Sequence, residues 1–139
     1  MSFDWSQYLE VARELAEQAK STPYPLQEAK YRASISRAYY AAFGKARHYL
    51  KHNDRIQEPY PPLNSMGERI SIHQYVIETF SNSTDQARTE IGVNLDRMKQ
   101  NRTIADYEIY HVMLNNLPFT VQATLKWAKE TLTALSRLQ

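Results

Sequence analysis

Apolar residues recur three and four positions apart along almost the whole chain, the spacing that lines up one face of an α-helix. No run alternates with the period of two that a half-buried strand needs. A first helix is predicted from Trp5, Tyr8, Leu9, Ala12, Leu15, Ala16 and Ala19, capped by Ser2 or Asp4 and stopped near Ser21 by Pro23 and Pro25. The second, from about Leu26 to His52, is the longest. Its Ala29, Ser36, Tyr40, Phe43 and Leu50 share one arc, with Ile35, Tyr39, Ala42, Ala46 and Tyr49 beside it, so other helices must cover it on several sides. A third, from about Gly67 to Asn82, sets Ile70, His73, Val76, Ile77 and Phe80 on one face. A fourth begins near Asp85 with Ser83 or Thr84 as its cap; Ala87, Ile91, Leu95 and Met98 form its stripe, while Arg88, Glu90, Asp96, Arg97 and Lys99 turn to water. Ile104, Ile109, Val112, Met113 and Leu117 could continue a helix, but Asn115, Asn116 and Pro118 end it. The last helix runs from about Pro118 to Leu138 on Val121, Leu125, Ala128, Leu132, Leu135 and Leu138, with Pro118 suited to its first turn. The pattern predicts an all-α fold, an antiparallel bundle of about five helices.

One stretch breaks the periodicity. Residues 53 to 65, with Pro59, Pro61 and Pro62, cannot be helical, and the loop is longer than most connections in a compact domain. It is either a tolerated surface insertion or a lid or partner-binding arm. The 139 residues suit a single domain with one core, and 42% hydrophobic residues exclude a disordered chain. Cysteine is absent, which removes disulfides, thiolate metal sites and thiol nucleophiles. The chain opens into Ser2-Phe3-Asp4-Trp5 without a signal-like segment, and no apolar run approaches membrane-spanning length, so a soluble, cytoplasmic protein with no membrane contact is expected.

Charge changes the picture through its distribution. The net charge is only +2, yet Leu26 to His52 carries six Lys or Arg against a lone acid, Glu28. Lys30, Arg37, Lys45, His48 and His52 gather opposite the apolar surface of that helix, and the fourth helix ends in Arg97, Lys99 and Arg102. Arg37, Lys45, Arg97 and Lys99 are therefore candidate phosphate contacts.

Familiar chemistries fail on inspection. His48 and His52 stand four apart, as metal ligands on one helix face can, but no HExxH-type acid accompanies them, so no metal site is expected. Gly44, Gly67 and Gly92 stand alone, which gives no phosphate-cradling loop, and neither Ser-x-x-Lys nor Gly-x-Ser-x-Gly occurs. No cofactor is expected. His73, on the apolar face of its helix, reads first as a structural residue, with Tyr40 as a structural or auxiliary neighbour.

The run Tyr-Arg-x-Ala-x-x-Arg-Ala-Tyr-Tyr-Ala-Ala-Phe, Tyr31 to Phe43, resembles the second helix of the HEPN family, prokaryotic all-helical domains often found beside minimal nucleotidyltransferases. Ser71-Ile72-His73 with Phe80, and Arg102-Thr-Ile-Ala105-Asp106-Tyr107, agree in order and spacing. The resemblance implies a homodimer whose two motifs share one cleft on RNA. Active members are metal-independent ribonucleases marked by an arginine, four to six residues, and a histidine. The arginine suits a phosphate and its transition-state charge, and the histidine exchanges a proton near neutral pH. Here Arg102 supplies the first part, but Tyr107 stands where the histidine is due, and His111 comes later. A branch of the family with an Arg-x-x-Ala-Asp-Tyr motif carries Asp106 and Tyr107 as its regular pair. Phenols titrate near ~10, so a tyrosine is a poor base at neutral pH; Tyr107 would bind phosphate or act as an acid, with His111 or His73 as base. Alternatively Asp106 pairs with Arg37 or Arg102 and fixes the fold, while Tyr107 fills the core. In some members the nucleotidyltransferase modifies a tyrosine two residues after the motif histidine. That place is Ile109 here, with Tyr110 adjacent.

Two functions follow from the resemblance. One is a HEPN-toxin ribonuclease of a toxin and antitoxin pair, a homodimer acting on RNA with a minimal nucleotidyltransferase as antitoxin. The other is a non-catalytic module that docks a nucleotidyltransferase or a nucleotide. A helical interaction domain without a ligand stays open beside them. The catalytic reading requires Arg102 in a water-accessible, positively charged hollow between helices.

Overall fold

A computed structural model describes residues 3–138. The elements in chain order are α1 (Ser6–Ala19), α2 (Leu26–His52), α3 (Ile72–Ser81), α4 (Gln86–Tyr107), a short 3-10 helix (Val112–Asn116) and α5 (Leu117–Arg137). The fold is an all-α bundle, and among the described residues strand-like pairing is confined to an isolated antiparallel bridge between Leu63 and Arg69. No helix among the described residues is long and apolar enough to cross a membrane.

Helix α2 touches every other α-helix. Small residues make that possible: Ala38, Ala41, Ala42 and Ala46 are fully buried, so neighbouring backbones come close. Gly44 extends the same device, since a Cβ there would run into the indole of Trp5 at the start of α1. Tyr39, Phe80, Ile91, Leu95 and Met98 fill the main core, while Ala16, Ile35, Ala105 and Val121 form a second cluster between the ends of the helices.

Helix starts depart from the sequence reading in instructive ways. Trp5, not Asp4, holds the N-cap position of α1 and gives it no side-chain cap; Asp4, one residue earlier, accepts from the Ser6 backbone N–H at 3.0 Å and from the Ser6 hydroxyl at 2.6 Å, and Ser2 lies outside the described residues. Helix α3 begins at Ile72, capped by Ser71, and not near Gly67. The residues before it are held in a turn, where Asn64 Oδ1 accepts from the N–H groups of Met66 and Glu68 and Gly67 takes a φ of +79°. Asp85, and not Ser83 or Thr84, caps α4: its carboxylate accepts from Arg88 N–H, while the Ser83 hydroxyl accepts from Asp85 N–H. Ala29 and Ala87, assigned to apolar stripes, are exposed near the starts of their helices.

Residues 53–71 are tied to the body. Arg47 makes two hydrogen bonds to Glu58, at 2.6 and 2.8 Å, and Ile56 packs against the core. Arg88, expected in water, instead grips Asp54 at 2.6 and 3.0 Å and meets the Tyr49 hydroxyl at 3.3 Å. The helical turn of α4 and the register of α2 put these arginines beneath the loop, and the polar sequence gives no sign of it.

Candidate functional site

The middle of α2, the last turns of α4 and the first turn of α3 converge on Arg102, and the first turn of α1 joins them through Tyr8 against Arg37. Three rings surround its guanidinium, those of Tyr39, Tyr40 and Tyr107, with centroids at 5.6, 5.3 and 5.9 Å. Only 9% of the residue is exposed, so the expected open, water-accessible hollow around it does not exist. Its carboxylate partner, Asp106 one turn later, lies 3.8 Å away, too far for a hydrogen bond. Arg102 Nε is the buried side-chain polar atom left without a partner among the described residues. A buried donor in that state forfeits about 1–3 kcal/mol, and charged groups more.

Arg37 stands in front of this centre. Its guanidinium sits between the rings of Tyr8 and Tyr40, 5.1 Å from each centroid, and donates to the Ser36 hydroxyl at 3.4 Å. Ser36 in turn donates to Asp106 Oδ2 at 3.2 Å. Asp106 therefore faces Arg102 directly and reaches Arg37 only through Ser36. No carboxylate among the described residues forms an ion pair with Arg37. Two arginines against one loosely held carboxylate leave the cluster net positive.

His73 enters from α3. Its ring stacks on Phe43 at 4.3 Å, lies against Tyr39 and Tyr40, and Nδ1 shares a 2.7 Å hydrogen bond with the Tyr39 hydroxyl. Burial lowers its pKa to about 4, helped by the charges of Arg102, Lys99 and Arg47, so the imidazole is neutral at ordinary pH. Burial also pushes the Tyr39 phenol upward, against the pull of Arg102. Lys99, near His73, donates to Gln74 at 3.2 Å.

The remaining candidates are dispersed. Tyr107 is 72% exposed and does not fill the core; it forms the rim. His111 and Tyr110 lie on the exposed segment beyond α4, along a hollow of about 1060 Å³ lined also by Tyr24, Glu28, Arg32, Asp106 and Glu108. Arg97 leaves the cluster altogether, its guanidinium lying over Trp127 of α5 at 5.5 Å. Lys45 sits near Asp4, whose pKa it helps to lower after the larger effect of the Ser6 hydrogen bonds. His48 and His52 stack on one another at 4.1 Å, and no group of three potential ligands among the described residues could hold a metal ion.

Sequence reasoning missed Tyr8 and Arg32. Tyr8 matched the apolar stripe of α1, and nothing in its spacing marks the ring as a seat for Arg37. Arg32 closes the end of α4 by donating to the carbonyls of Ala105 and Glu108 at 3.0 and 2.7 Å, with Glu28 3.6 Å from its Nε. That pairing spans more than seventy residues of chain and has no local signal. No protein-family model, curated protein or solved structure matches this chain.

Proposed function

We propose that this chain is a HEPN-like binding module that seats a phosphate of an RNA strand or nucleotide at Arg37, with Arg102 behind it. The observation that carries this reading is the unmet cationic demand of the pair. Among the described residues no acid forms an ion pair with Arg37, and Arg102 Nε is buried without a partner. A phosphate oxygen in front of Arg37 gains a charge-assisted, forked contact, and the low-dielectric surroundings of Arg102 add attraction that water screens only weakly. Asp106 sets the orientation through Ser36 and limits how tightly an anion is held.

A second reading, metal-independent RNA cleavage by a homodimer with the neutral imidazole of His73 as base, requires Arg102, 9% exposed and enclosed by three tyrosine rings, to be uncovered when RNA binds. Tyr107 at the rim is then the proton donor, and a partner nucleotidyltransferase docks near the exposed hydroxyl of Tyr110. Both readings meet in one experiment: fluorescence anisotropy with a labelled RNA oligomer, and electrophoresis of the same RNA with and without chelator. The expected outcome is salt-sensitive binding that Arg37→Gln weakens about tenfold, as loss of a charged hydrogen bond of ~1.4 kcal/mol implies. Binding that ignores Arg37→Gln sinks the phosphate site. Cleavage lost in Arg102→Gln moves the conclusion to the nuclease.

A further inference from the structure

We infer that the phosphate seat continues into a stacking platform for the bases of single-stranded nucleic acid, built from Phe3, Trp5 and Tyr8 at the start of α1. The inference rests on the phosphate-site reading, because Arg37 belongs to both surfaces.

The aromatic groups form an unbroken strip. Phe3 lies 5.0 Å from Trp5 and 5.0 Å from Tyr8, centroid to centroid, and Trp5 lies 5.6 Å from Tyr8. Tyr8 carries Arg37 at 5.1 Å, Arg37 reaches Tyr40 at the same distance, Tyr40 meets Arg102 at 5.3 Å, and Arg102 meets Tyr107 at 5.9 Å. Beyond the three rings at the start of α1, rings and guanidinium groups alternate from Tyr8 to Tyr107. Both ends are open, with Phe3 51% and Tyr107 72% exposed, while Trp5, Tyr8 and Tyr40 are partly exposed between them.

A hydrophobic core needs no guanidinium between its rings, and a salt-bridged surface needs no rings. The combination suits a polymer that carries one phosphate and one flat, π-faced base per repeat, because stacking is indifferent to base identity and the arginines follow the backbone. Trp5 abuts Gly44, seven residues from Arg37 on α2, so ring and guanidinium lie on the same helical face with their backbone anchors about 10 Å apart at ~1.5 Å per residue. A base read by stacking must be unpaired, which selects a single strand over a duplex.

The test uses two labelled hexamers of equal charge, one of uridines and one with every base removed from its sugar. In the Trp127→Phe background Trp5 is the sole tryptophan and reports directly. The expected result is that the uridine hexamer binds at least ~10-fold more tightly and quenches Trp5, since each base that stacks on a ring adds to the affinity. Phe3→Ala, checked for an unchanged melting temperature, narrows that ratio while leaving the base-free hexamer unaffected, and Phe3→Tyr restores it. Equal affinity for the two hexamers overturns the platform and leaves the phosphate site standing. Binding of neither overturns both.

Discussion

The Tyr39 hydroxyl and His73 Nδ1 lie 2.7 Å apart, a bond that joins the central helix to the start of α3 inside a box of aromatic rings. Because burial holds the His73 pKa at about 4, below its ordinary value of 6.5, the folded protein binds this proton less readily than the unfolded chain. The associated stability is fully present above pH ~6.5 and is lost progressively as pH falls toward about 4. Melting temperature measured across that range should fall with pH, and His73→Gln should flatten the profile. A wild-type curve with no slope there contradicts the burial of the ring.

On the proposed phosphate-site reading, Asp106, 3.8 Å from Arg102, competes with the incoming anion for its attraction. Asp106→Asn keeps the shape of the side chain and removes its charge. Affinity for RNA should rise several-fold, with a steeper salt dependence, at a stability cost of about 1 kcal/mol from the lost pairing. Titrations by anisotropy at two salt concentrations, beside urea unfolding, check both signs. Weaker binding by the Asn variant would show Asp106 to be part of the seat.

The clamp between Arg88 and Asp54 holds the long connection before α3. Both side chains are about a quarter exposed, so Arg88→Met should cost about 1–2 kcal/mol, between surface and fully buried pairs. Limited proteolysis should find new cleavage confined to residues 53–71. Unchanged resistance there would mean that Arg47, Glu58 and Ile56 secure the segment by themselves.

Gly44→Ala places a methyl group in the space of the Trp5 indole. The ring must shift, and overpacking of this kind costs about 1–3 kcal/mol. Trp5 emission in a Trp127→Phe background should move to the red as the indole is displaced toward water. Unaltered emission and stability would place Trp5 elsewhere.

Much of the bundle was legible because burial writes itself as periodicity. The stripes of α2 and α5 were readable, with Leu26 to His52 recovered to the residue, since small and apolar positions must face their neighbours. Helix starts were less legible. Ser71, Ser83, Thr84 and Asp85 all have capping chemistry, and only the path of the chain decides which one caps. The cluster was half visible: Arg37, Tyr40, Arg102 and Asp106 could be named as candidates, and they do meet. Hidden from the sequence were the burial of Arg102 and the departure of Arg97 to Trp127, because five helices together determine which side of α4 is covered. Arg88 shows the same blindness; a charged residue reads as solvated until a loop folds over it.

Arg32 leaves one consequence for motion. Its two contacts to the Ala105 and Glu108 carbonyls fasten the exit of α4 to the first turns of α2. Outward movement of residues 108–116 would have to break both hydrogen bonds, which anchor the turn that carries Asp106 and Tyr107. The outer hollow and the charged cluster thus share one side chain, since Asp106 lines the first and faces Arg102 in the second.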